Sequence, residues 1–320
     1  MKTHSVAWWN VENLFDVEGS PARSDKLNRT LRGELTGWNE TILARKITNL
    51  AAIIGQLNGG KGPDLLGVCE VENRPVLQRL VDALAPLGRN YLVVHHDTSD
   101  ERGIDVAFIY DSDKFLAEET FSHTIQKRTA TRELFQVNFR TASGRSLVVV
   151  GNHWPSKLGG GRESEAYRII AGETLAYFNA RIEQVLGDDT PILVMGDFND
   201  EPSDRSLTDH ALSSRLRTQV LYANTPRLLN LMWPLMGRGL GTYYYSNVAL
   251  MIDQFLVSGG MLKAKSKIKA AEDSPVIVQL PEMTAAGRYP APVRFGRPTS
   301  GLNQSGYSDH FPITLNLLES

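Results

Sequence analysis

The sequence predicts an α/β protein in which two packed β-sheets carry helices on their outer faces. Apolar runs of strand length recur along the whole chain of 320 residues, and three segments between them have helical periodicity. Hydrophobic residues make up 42% of the chain and charged residues 22%, which is typical of a globular protein with a large core. We expect one domain spanning residues 1–320, because no repeat or low-complexity linker divides the sequence.

Nine strands are predicted from the apolar runs. In chain order they are SVAWWNV, DLLGVCEV, YLVVHH, DVAFIYD, FQVNFR, SLVVVGNHW, PILVMGDF, MIDQFLVS and FPITLNLL. Apolar residues at helical spacing predict helices over about residues 40–57, 74–87 and 163–186. Residues 16–37 and 282–306 are polar or rich in glycine, proline and serine, and we expect loops there. The second is long for a compact domain, and such loops are usually functional or disordered.

The composition limits the cellular compartment and the binding partners that we expect for the protein. The single cysteine, Cys69, excludes an internal disulfide and fits a reducing compartment, and its apolar neighbours in LLGVC predict that it is buried. No stretch approaches the roughly 18 apolar residues of a membrane span, and MKTHSVAWWN lacks a signal-peptide core. We therefore expect a cytoplasmic monomer without a membrane partner. The formal net charge of −2 gives no overall positive field that favours nucleic acid.

The end of the seventh predicted strand carries a distinctive group of side chains. In ILVMGDFND, Asp197 and Asn199 follow an apolar run and Gly196, which permits a sharp turn. Side chains two residues apart point the same way if the backbone stays extended. A carboxylate beside an amide can hold a water, a metal or a phosphoryl oxygen. An ordinary turn capped by Asp and Asn explains this segment equally well.

Five other strand ends carry similar groups. They hold Asn10 with Glu12, Glu70 with Glu72, Asn152 with His153, Asp253, and Asp309 with His310. Asp253 lies inside an apolar strand, where burial is costly unless a partner such as His310 or His153 is present. A structural cap explains any one strand end, but six together favour a functional site. Carboxylate and amide oxygens favour Mg²⁺ or Mn²⁺, and no zinc, P-loop or serine-hydrolase signature appears.

In this order, the strand-end motifs resemble those of the endonuclease/exonuclease/phosphatase superfamily. The motifs are WNVEN, CEVEN, NHWPSK, GDFND, IDQFLVS and SDHFPI, and the resemblance runs from about residue 6 to residue 317. The segments RGIDVAFIYD and NHWPSKLGGGRESEAYR are similar to a bacterial endonuclease-like subgroup. The resemblance implies a DNase I-like four-layer α/β/β/α sandwich, two mixed sheets flanked by helices, and phosphoester hydrolysis that depends on a divalent metal.

The resemblance also implies a metal site built from the first, second and last motifs. Glu70 would be the principal ligand of Mg²⁺ or Mn²⁺, and Asn10 and Asp309 would assist it. Glu12 would lie on the metal or behind its ligands, although many relatives have the shorter Asp in this position. Whether one or two metals bind stays open.

The catalytic groups implied by the resemblance come from the other motifs. Asp197 would orient or deprotonate the attacking water, and Asn199 would bind the phosphoryl oxygens or that water. His310, paired with Asp253, would stabilise charge in the transition state. His153 takes the place of a histidine that acts as general acid in DNase I-like members.

The favoured substrate is a nucleic acid, DNA or RNA, cleaved as a phosphodiester. The alternatives are a phosphatase or phosphodiesterase of small or inositol-type phosphoesters, and a non-catalytic binding protein on the same fold. Basic side chains close to the motifs are candidate phosphate contacts, namely Arg74, Arg102, Lys157, Arg162 and Arg168. Tyr244, in the run Tyr243–Tyr245, could stack on a base or pack between layers.

Overall fold

The computed structural model describes residues 1–98, 100, 102–126, 132–157 and 161–320, and side chains are described for these except 161–163. In this part of the chain the strands are β1 (Lys2–Leu14), β2 (Leu65–Val71), β3 (Tyr91–His95), β4 (Asp105–Asp111), β5 (Phe115–His123), β6 (Leu134–Thr141), β7 (Ser146–His153), β8 (Ile192–Asp197), β9 (Ser213–Ser214), β10 (Leu228–Asn230), β11 (Tyr243–Tyr245), β12 (Val248–Leu250), β13 (Asp253–Ser258), β14 (Ile268–Ala270), β15 (Val276–Ile277) and β16 (Ile313–Glu319).

The helices lie mainly in the longer connections between strands. They are α1 (Asp25–Leu31), α2 (Glu40–Gly60), α3 (Arg74–Ala83), α4 (Gly161–Leu186) and α5 (Arg217–Leu221). One π-helical turn spans Ser206–His210, and short 3₁₀ turns span Ala85–Leu87, Trp233–Leu235, Gly259–Met261, Pro281–Met283 and Pro298–Ser300. None of the described helices is long and apolar enough to cross a membrane.

The strands form two mixed sheets and one separate hairpin. The first sheet has the order β14-β16-β1-β2-β4-β3, with β15 also paired to β16, and the second has the order β5-β6-β7-β8-β13-β10-β9. Strands β11 and β12 form the hairpin. At the centre of each sheet one pair is parallel, β1 with β2 and β7 with β8, and its neighbours are antiparallel.

Helices cover the outer faces of the two packed sheets. Strands β1 and β2 contact β8 across the interface, where fully buried Trp8, Phe108 and Phe255 contribute large apolar side chains. Helix α2 packs on β1 and on α3, and α3 packs on β3. On the other side, Ala171 and Leu175 of α4 belong to the core that covers the second sheet. The four-layer fold class predicted from the sequence is therefore confirmed.

The predicted elements are largely confirmed. All nine predicted strands form, and the three predicted helices correspond to α2, α3 and α4. Cys69 is buried, as expected. The prediction that residues 16–37 form only a loop is wrong, because α1 begins there with the Ser24 hydroxyl accepting a hydrogen bond from the backbone N–H of Leu27. Strand β5 was missed, because its half-exposed sequence FLAEETFSH has few apolar residues.

Candidate active site at the carboxyl ends of the central strands

The strand ends turn sharply where the candidate side chains begin. Glu12, Glu70 and Asn199 have left-handed backbone, with φ of 50°, 63° and 51°. The pairing register also shifts after Asn10 in β1 and after Cys69 in β2. Residues two apart therefore do not share the direction that an extended backbone would give them, and the members of each pair have different partners.

Asp253 and His310 form the predicted buried pair. His310 Nδ1 lies 2.7 Å from Asp253 Oδ2, and Trp8 Nε1 donates a hydrogen bond of 3.0 Å to Asp253 Oδ1. Burial by itself lowers the pKa of His310, but Asp253, followed by Asp197 and Asp309, raises it well above the usual value. The ring is therefore an imidazolium near neutral pH, and its Nε2 lies 3.9 Å from Asp197 Oδ2 and 4.0 Å from Asp309 Oδ1.

Asp197 lies at the centre of the site. Its Oδ2 accepts a hydrogen bond of 3.1 Å from Asn10 Nδ2, and its Oδ1 accepts one of 2.9 Å from the backbone N–H of Asn199. Burial and then the neighbouring Asp253 raise the pKa of Asp197 to about 7, although His310 acts in the opposite direction. A carboxyl group with such a pKa exchanges a proton readily at neutral pH, which suits a general base.

His153 faces the same centre from β7. Its Nε2 lies 3.7 Å from Glu70 Oε1 and 3.8 Å from Asp197 Oδ2. Burial, followed by the charges of Arg132 and Arg102, lowers the pKa of His153 well below its usual value, so the ring is neutral. Proton donation by His153 therefore requires an anionic substrate to offset the two arginines. Its Nδ1 is buried and has no hydrogen-bond partner among the described residues.

Two carboxylates beside this centre are suited to a divalent cation. Glu70 Oε2 accepts a hydrogen bond of 2.9 Å from the backbone N–H of Asn13, and no described residue donates one to Oε1. Burial, followed by Glu12 and Glu70, raises the pKa of Asp309 to about 7, although His310 acts in the opposite direction. A cation bound by Glu70 and Asp309 would relieve this repulsion. Asn10 Oδ1, which accepts a hydrogen bond of 3.0 Å from the backbone N–H of Glu12, would add a neutral oxygen through its second lone pair. The donor set therefore fits Mg²⁺ or Mn²⁺.

The ligand atoms of Asp197, Asp253 and His310 also lie within 4.8 Å of one another, as do those of His95, Asp97 and Asp105. Both oxygens of Asp253 already accept hydrogen bonds, so the first group is better suited to proton transfer than to metal binding. In the second group, Asp105 is engaged by Thr98 and His95.

The carboxylate of Glu12 accepts hydrogen bonds from protein groups, which is not what a free metal ligand would do. Its carboxylate accepts hydrogen bonds from Arg294 Nε at 3.0 Å and from the backbone N–H groups of Phe295 at 2.8 Å and Gly296 at 3.2 Å. Both oxygens are thus used to hold the loop of residues 282–306, which favours the position behind the metal ligands over the position on the metal. The sequence could not reveal this, because the partners lie 282 to 284 residues away.

Two further strand-end residues are structural. Asn152 is fully buried, donates to Val150 O and accepts from Trp154 Nε1. Glu72 forms a buried pair with Arg23, with Arg23 Nε 2.6 Å from Glu72 Oε1, and so ties the segment after β1 to the end of β2.

The predicted phosphate contacts have different outcomes. Arg168 is buried and its Nε lies 2.7 Å from Asp200 Oδ2, so the prediction that it contacts phosphate is wrong. Lys157 also pairs with Asp200, at 2.9 Å, because this buried second acid of GDFND requires cationic partners.

Arg102 donates to Asn13 Oδ1 and its charge acts on His153, so it borders the site. Arg74 is an exposed residue at the start of α3. The side chain of Arg162 lies outside the described residues.

The three tyrosines of the run Tyr243–Tyr245 differ in their contacts and in their exposure. The Tyr244 hydroxyl is buried and its ring packs at 87° to Phe311, so packing between layers, the second alternative, describes it. Tyr243 instead places its ring 4.8 Å from that of His310, and Tyr245 is 56% exposed. An aromatic surface beside the site is therefore offered by Tyr243 and Tyr245.

Three basic residues of the site were missed by the sequence reasoning. Arg132 is buried and donates to His153 O and Trp154 O. Lys46 of α2 is fully buried, and its Nζ donates to Glu12 O at 2.7 Å and Tyr307 O at 3.1 Å. Arg294 is bound to Glu12. Only Lys46 carried a signal, because it is a charged residue on the apolar face of a predicted helix.

Comparisons with known proteins agree with this architecture. A family model described as Endonuclease/Exonuclease/phosphatase family matches residues 5–319. Comparison with curated proteins gave no match. D. rerio TDP2 complexed with single strand DNA product is 13% identical with a TM-score of 0.59, and the match covers 99% of this chain and 100% of that one.

Two further solved structures are similar. An endonuclease/exonuclease/phosphatase family protein from Bacteroides thetaiotaomicron is 14% identical with a TM-score of 0.56, covering 100% of this chain and 98% of that one. The human Nocturnin catalytic domain with bound sulfate anion is 15% identical with a TM-score of 0.53, covering 99% and 95%. At these identities the likeness establishes a shared fold.

Proposed function

The chain belongs to the endonuclease/exonuclease/phosphatase family, and from this premise we propose that it hydrolyses phosphodiester bonds of nucleic acid with the help of a divalent metal ion. Members of this family are hydrolases acting on phosphoester bonds. The observation that carries the proposal is the Asp253–His310 pair, whose free Nε2 faces both Asp197 and Asp309. One imidazolium thus lies between the candidate base and a candidate metal ligand.

The metal would be held by Glu70 and Asp309 with help from Asn10. When bound, Mg²⁺ or Mn²⁺ supplies charge neutralisation at the phosphoryl and leaving oxygens. Lys46 and Glu12 keep these ligands in place from behind, since Lys46 joins the backbone of β1 to the segment that carries Asp309.

Asp197 accepts the proton, or a hydrogen bond, of the attacking water in this scheme. Its orientation is fixed by Asn10 Nδ2 and by the backbone N–H of Asn199. Asn199 uses one amide N–H on Trp154 O and keeps a second N–H for a phosphoryl oxygen. The His310 imidazolium donates to the oxyanion that develops in the transition state. His153 is neutral until the substrate binds, and Arg102 and Arg132 beside it favour an anionic group at this position.

A nucleic acid substrate is supported by two features of the site and by one comparison. Arg102 and Arg132 supply positive charge beside His153 although the chain as a whole is slightly acidic. Tyr243 and Tyr245 offer faces on which a base can stack. D. rerio TDP2, which shares the fold, has been captured with a single-strand DNA product.

The test compares purified wild-type protein with Asp197→Asn and His310→Gln. We expect each substitution to reduce kcat by roughly 10²–10³-fold, because each removes a group that acts on the transition state. The matched control is Asp113→Asn, an exposed acid distant in the fold at the end of β4, which should keep wild-type activity. Near-normal turnover by either site variant, with an unchanged circular dichroism spectrum, would contradict the assignment.

The substrate is identified with a panel in Mg²⁺ and in Mn²⁺. The panel contains plasmid, abasic duplex, single-stranded DNA, RNA, bis-nitrophenyl phosphate and an inositol polyphosphate. Loss of affinity with rising salt separates a polyanion bound through several phosphates from a small phosphoester. Hydrolysis of the inositol compound alone would replace nucleic acid as the substrate. Absence of Mg²⁺ or Mn²⁺ binding by calorimetry would favour a non-catalytic protein.

A further inference from the structure

The Arg294 guanidinium is anchored through its Nε, whereas its two Nη nitrogens are available to a ligand. Its Nε donates a hydrogen bond of 3.0 Å to Glu12 Oε1, and Glu12 is a buried carboxylate at 2% exposure. The Arg294 side chain is nevertheless 54% exposed, and its two Nη nitrogens make no hydrogen bond to any described residue. A guanidinium anchored in this way presents a planar pair of donors to solvent with little loss of rotamer entropy on binding.

The backbone that carries Arg294 is held rigidly. The N–H groups of Phe295 and Gly296 both donate to Glu12, and the N–H of Tyr307 donates to Val293 O at 2.7 Å. Phe295 is fully buried and packs edge-on against Trp38, with ring centroids 6.0 Å apart. A Cβ on Gly306 would come within 1.9 Å of Arg294 O, so the two parts of this loop are in close contact. The position of Arg294 is thus set before any ligand arrives.

Arg294 is anchored beside the proposed metal ligands. The backbone N–H of its partner Glu12 donates a hydrogen bond of 3.0 Å to Asn10 Oδ1, and the backbone N–H of the next residue, Asn13, donates one of 2.9 Å to Glu70 Oε2. The residue that holds Arg294 is therefore in direct contact with the candidate site. Glu12 is at the end of β1, whereas the reacting groups Asp197 and His153 lie at the ends of β8 and β7.

We propose that Arg294, oriented by Glu12, binds a second phosphate adjacent to the reacting one and so selects substrates with at least two consecutive phosphodiesters. The inference rests on the proposed function, since it names the substrate class of the same site. Arg294 takes no part in the bond changes at the reacting phosphate, where a phosphorus–oxygen bond to water forms and the phosphorus–oxygen bond to the leaving group breaks. Its two free Nη donors match the geometry of phosphate oxygens, which Lys cannot reproduce.

The kinetic test uses thymidine oligonucleotides with one phosphodiester and with two. Wild-type protein should have a higher kcat/KM for the trinucleotide than for the dinucleotide, by roughly 10- to 100-fold, the effect of hydrogen bonds to a charged group. Arg294→Met should remove most of this preference, mainly through KM, and Arg294→Lys should restore only part of it. Arg288→Met is the matched control, because it removes one positive charge from the same loop at an exposed residue that stacks on Tyr289.

The binding test does not depend on turnover. In the Asp197→Asn background, binding of a fluorescent thymidine 12-mer is titrated over a range of salt. Arg294→Met should weaken binding and reduce the slope of log K against log salt by about 0.7, the value for one phosphate contact on a single strand. Arg288→Met should leave the slope unchanged.

The outcomes separate this inference from the proposed function. If wild-type protein hydrolyses the oligonucleotides but Arg294→Met keeps the trinucleotide preference and the salt slope, the role of Arg294 is overturned while the function stands. If wild-type protein neither hydrolyses nor binds oligonucleotides, both are overturned. Equal loss of activity on the dinucleotide and the trinucleotide would place Arg294 at the reacting phosphate instead and also overturn the inference.

Discussion

Asp253→Asn tests the catalytic pair with the least change in shape. Asn keeps an oxygen that can accept the hydrogen bond from Trp8 Nε1, which in the wild type is 3.0 Å long. It offers an amide N–H to His310 Nδ1 in place of a carboxylate oxygen at 2.7 Å. The ring must then accept at Nδ1, so it becomes neutral. The substitution removes the charge of His310 while leaving the ring in position.

The expected magnitudes follow from what is lost. One charge-assisted hydrogen bond disappears and its partners remain paired, so unfolding free energy should fall by about 1.5–3 kcal/mol. Asp253→Ala would leave the imidazolium without its buried partner and should cost about 3–5 kcal/mol. For catalysis, loss of a charged donor to the oxyanion should reduce kcat by roughly 10²–10³-fold.

The pH dependence has a definite sign. Since the folded-state pKa of His310 lies well above its usual value of 6.5, the pair stabilises the fold fully below pH 6.5. The stabilisation is lost as pH rises through the raised folded-state pKa. The difference in unfolding free energy between wild type and Asp253→Asn should therefore be largest at and below pH 6.5 and shrink in alkali.

Urea unfolding at several pH values and a kcat–pH profile measure these effects. The alkaline limb of the wild-type profile, which reports loss of the His310 proton, should be absent in Asp253→Asn. Wild-type kcat with an unchanged alkaline limb would show that the charge of His310 has no role in turnover. A stability difference that does not vary with pH would show that His310 is neutral in the folded wild-type protein.

Two further predictions concern the buried cations. Arg168→Met should reduce unfolding free energy by about 1.5–3 kcal/mol, because a hydrogen bond to a charged group is lost while Lys157 and Ser206, among the described residues, remain partners of Asp200. It should leave the salt dependence of oligonucleotide binding unchanged. A smaller salt slope would instead make Arg168 a phosphate contact. Burial lowers the pKa of Lys46 to about 8 from its usual 10.5, so wild type should gain stability relative to Lys46→Met as pH rises from about 8 to 10 in urea unfolding. A constant difference over that range would mean that Lys46 titrates normally.

Much of the fold could be predicted because each signal is local. Alternating or continuous apolar runs identify strands within a few residues, and nine of them were found in this way. The missed strands, which are β5 and the strands of two or three residues, have no such apolar run. Their pairing depends on neighbours that the chain brings together only after folding.

The site could be predicted in part for the same reason. Asp197, Asp253 and His310 stand in or beside apolar strands, so their burial required partners, and they meet as expected. The role of Arg168 was misjudged and that of Glu12 was left open, because residue type does not reveal whether a charge has a partner. Arg168 neutralises Asp200, and Glu12 holds a loop almost the whole chain away.

The left-handed strand ends explain why these acids can converge. Of the eight non-glycine residues with positive φ in the described part of the chain, Glu12, Asn13, Glu70 and Asn199 lie at the site. Each such residue costs of order 1 kcal/mol, so the surrounding contacts must hold it in place. Glu12 has three hydrogen-bond donors, and the backbone N–H of Asn13 binds Glu70. In an extended strand Glu70 and Glu72 would share one face and repel. Because the backbone turns at Glu70, the Glu70 carboxylate faces the site and the Glu72 carboxylate pairs with Arg23. The strained backbone conformation thus separates a reactive acid from a structural one.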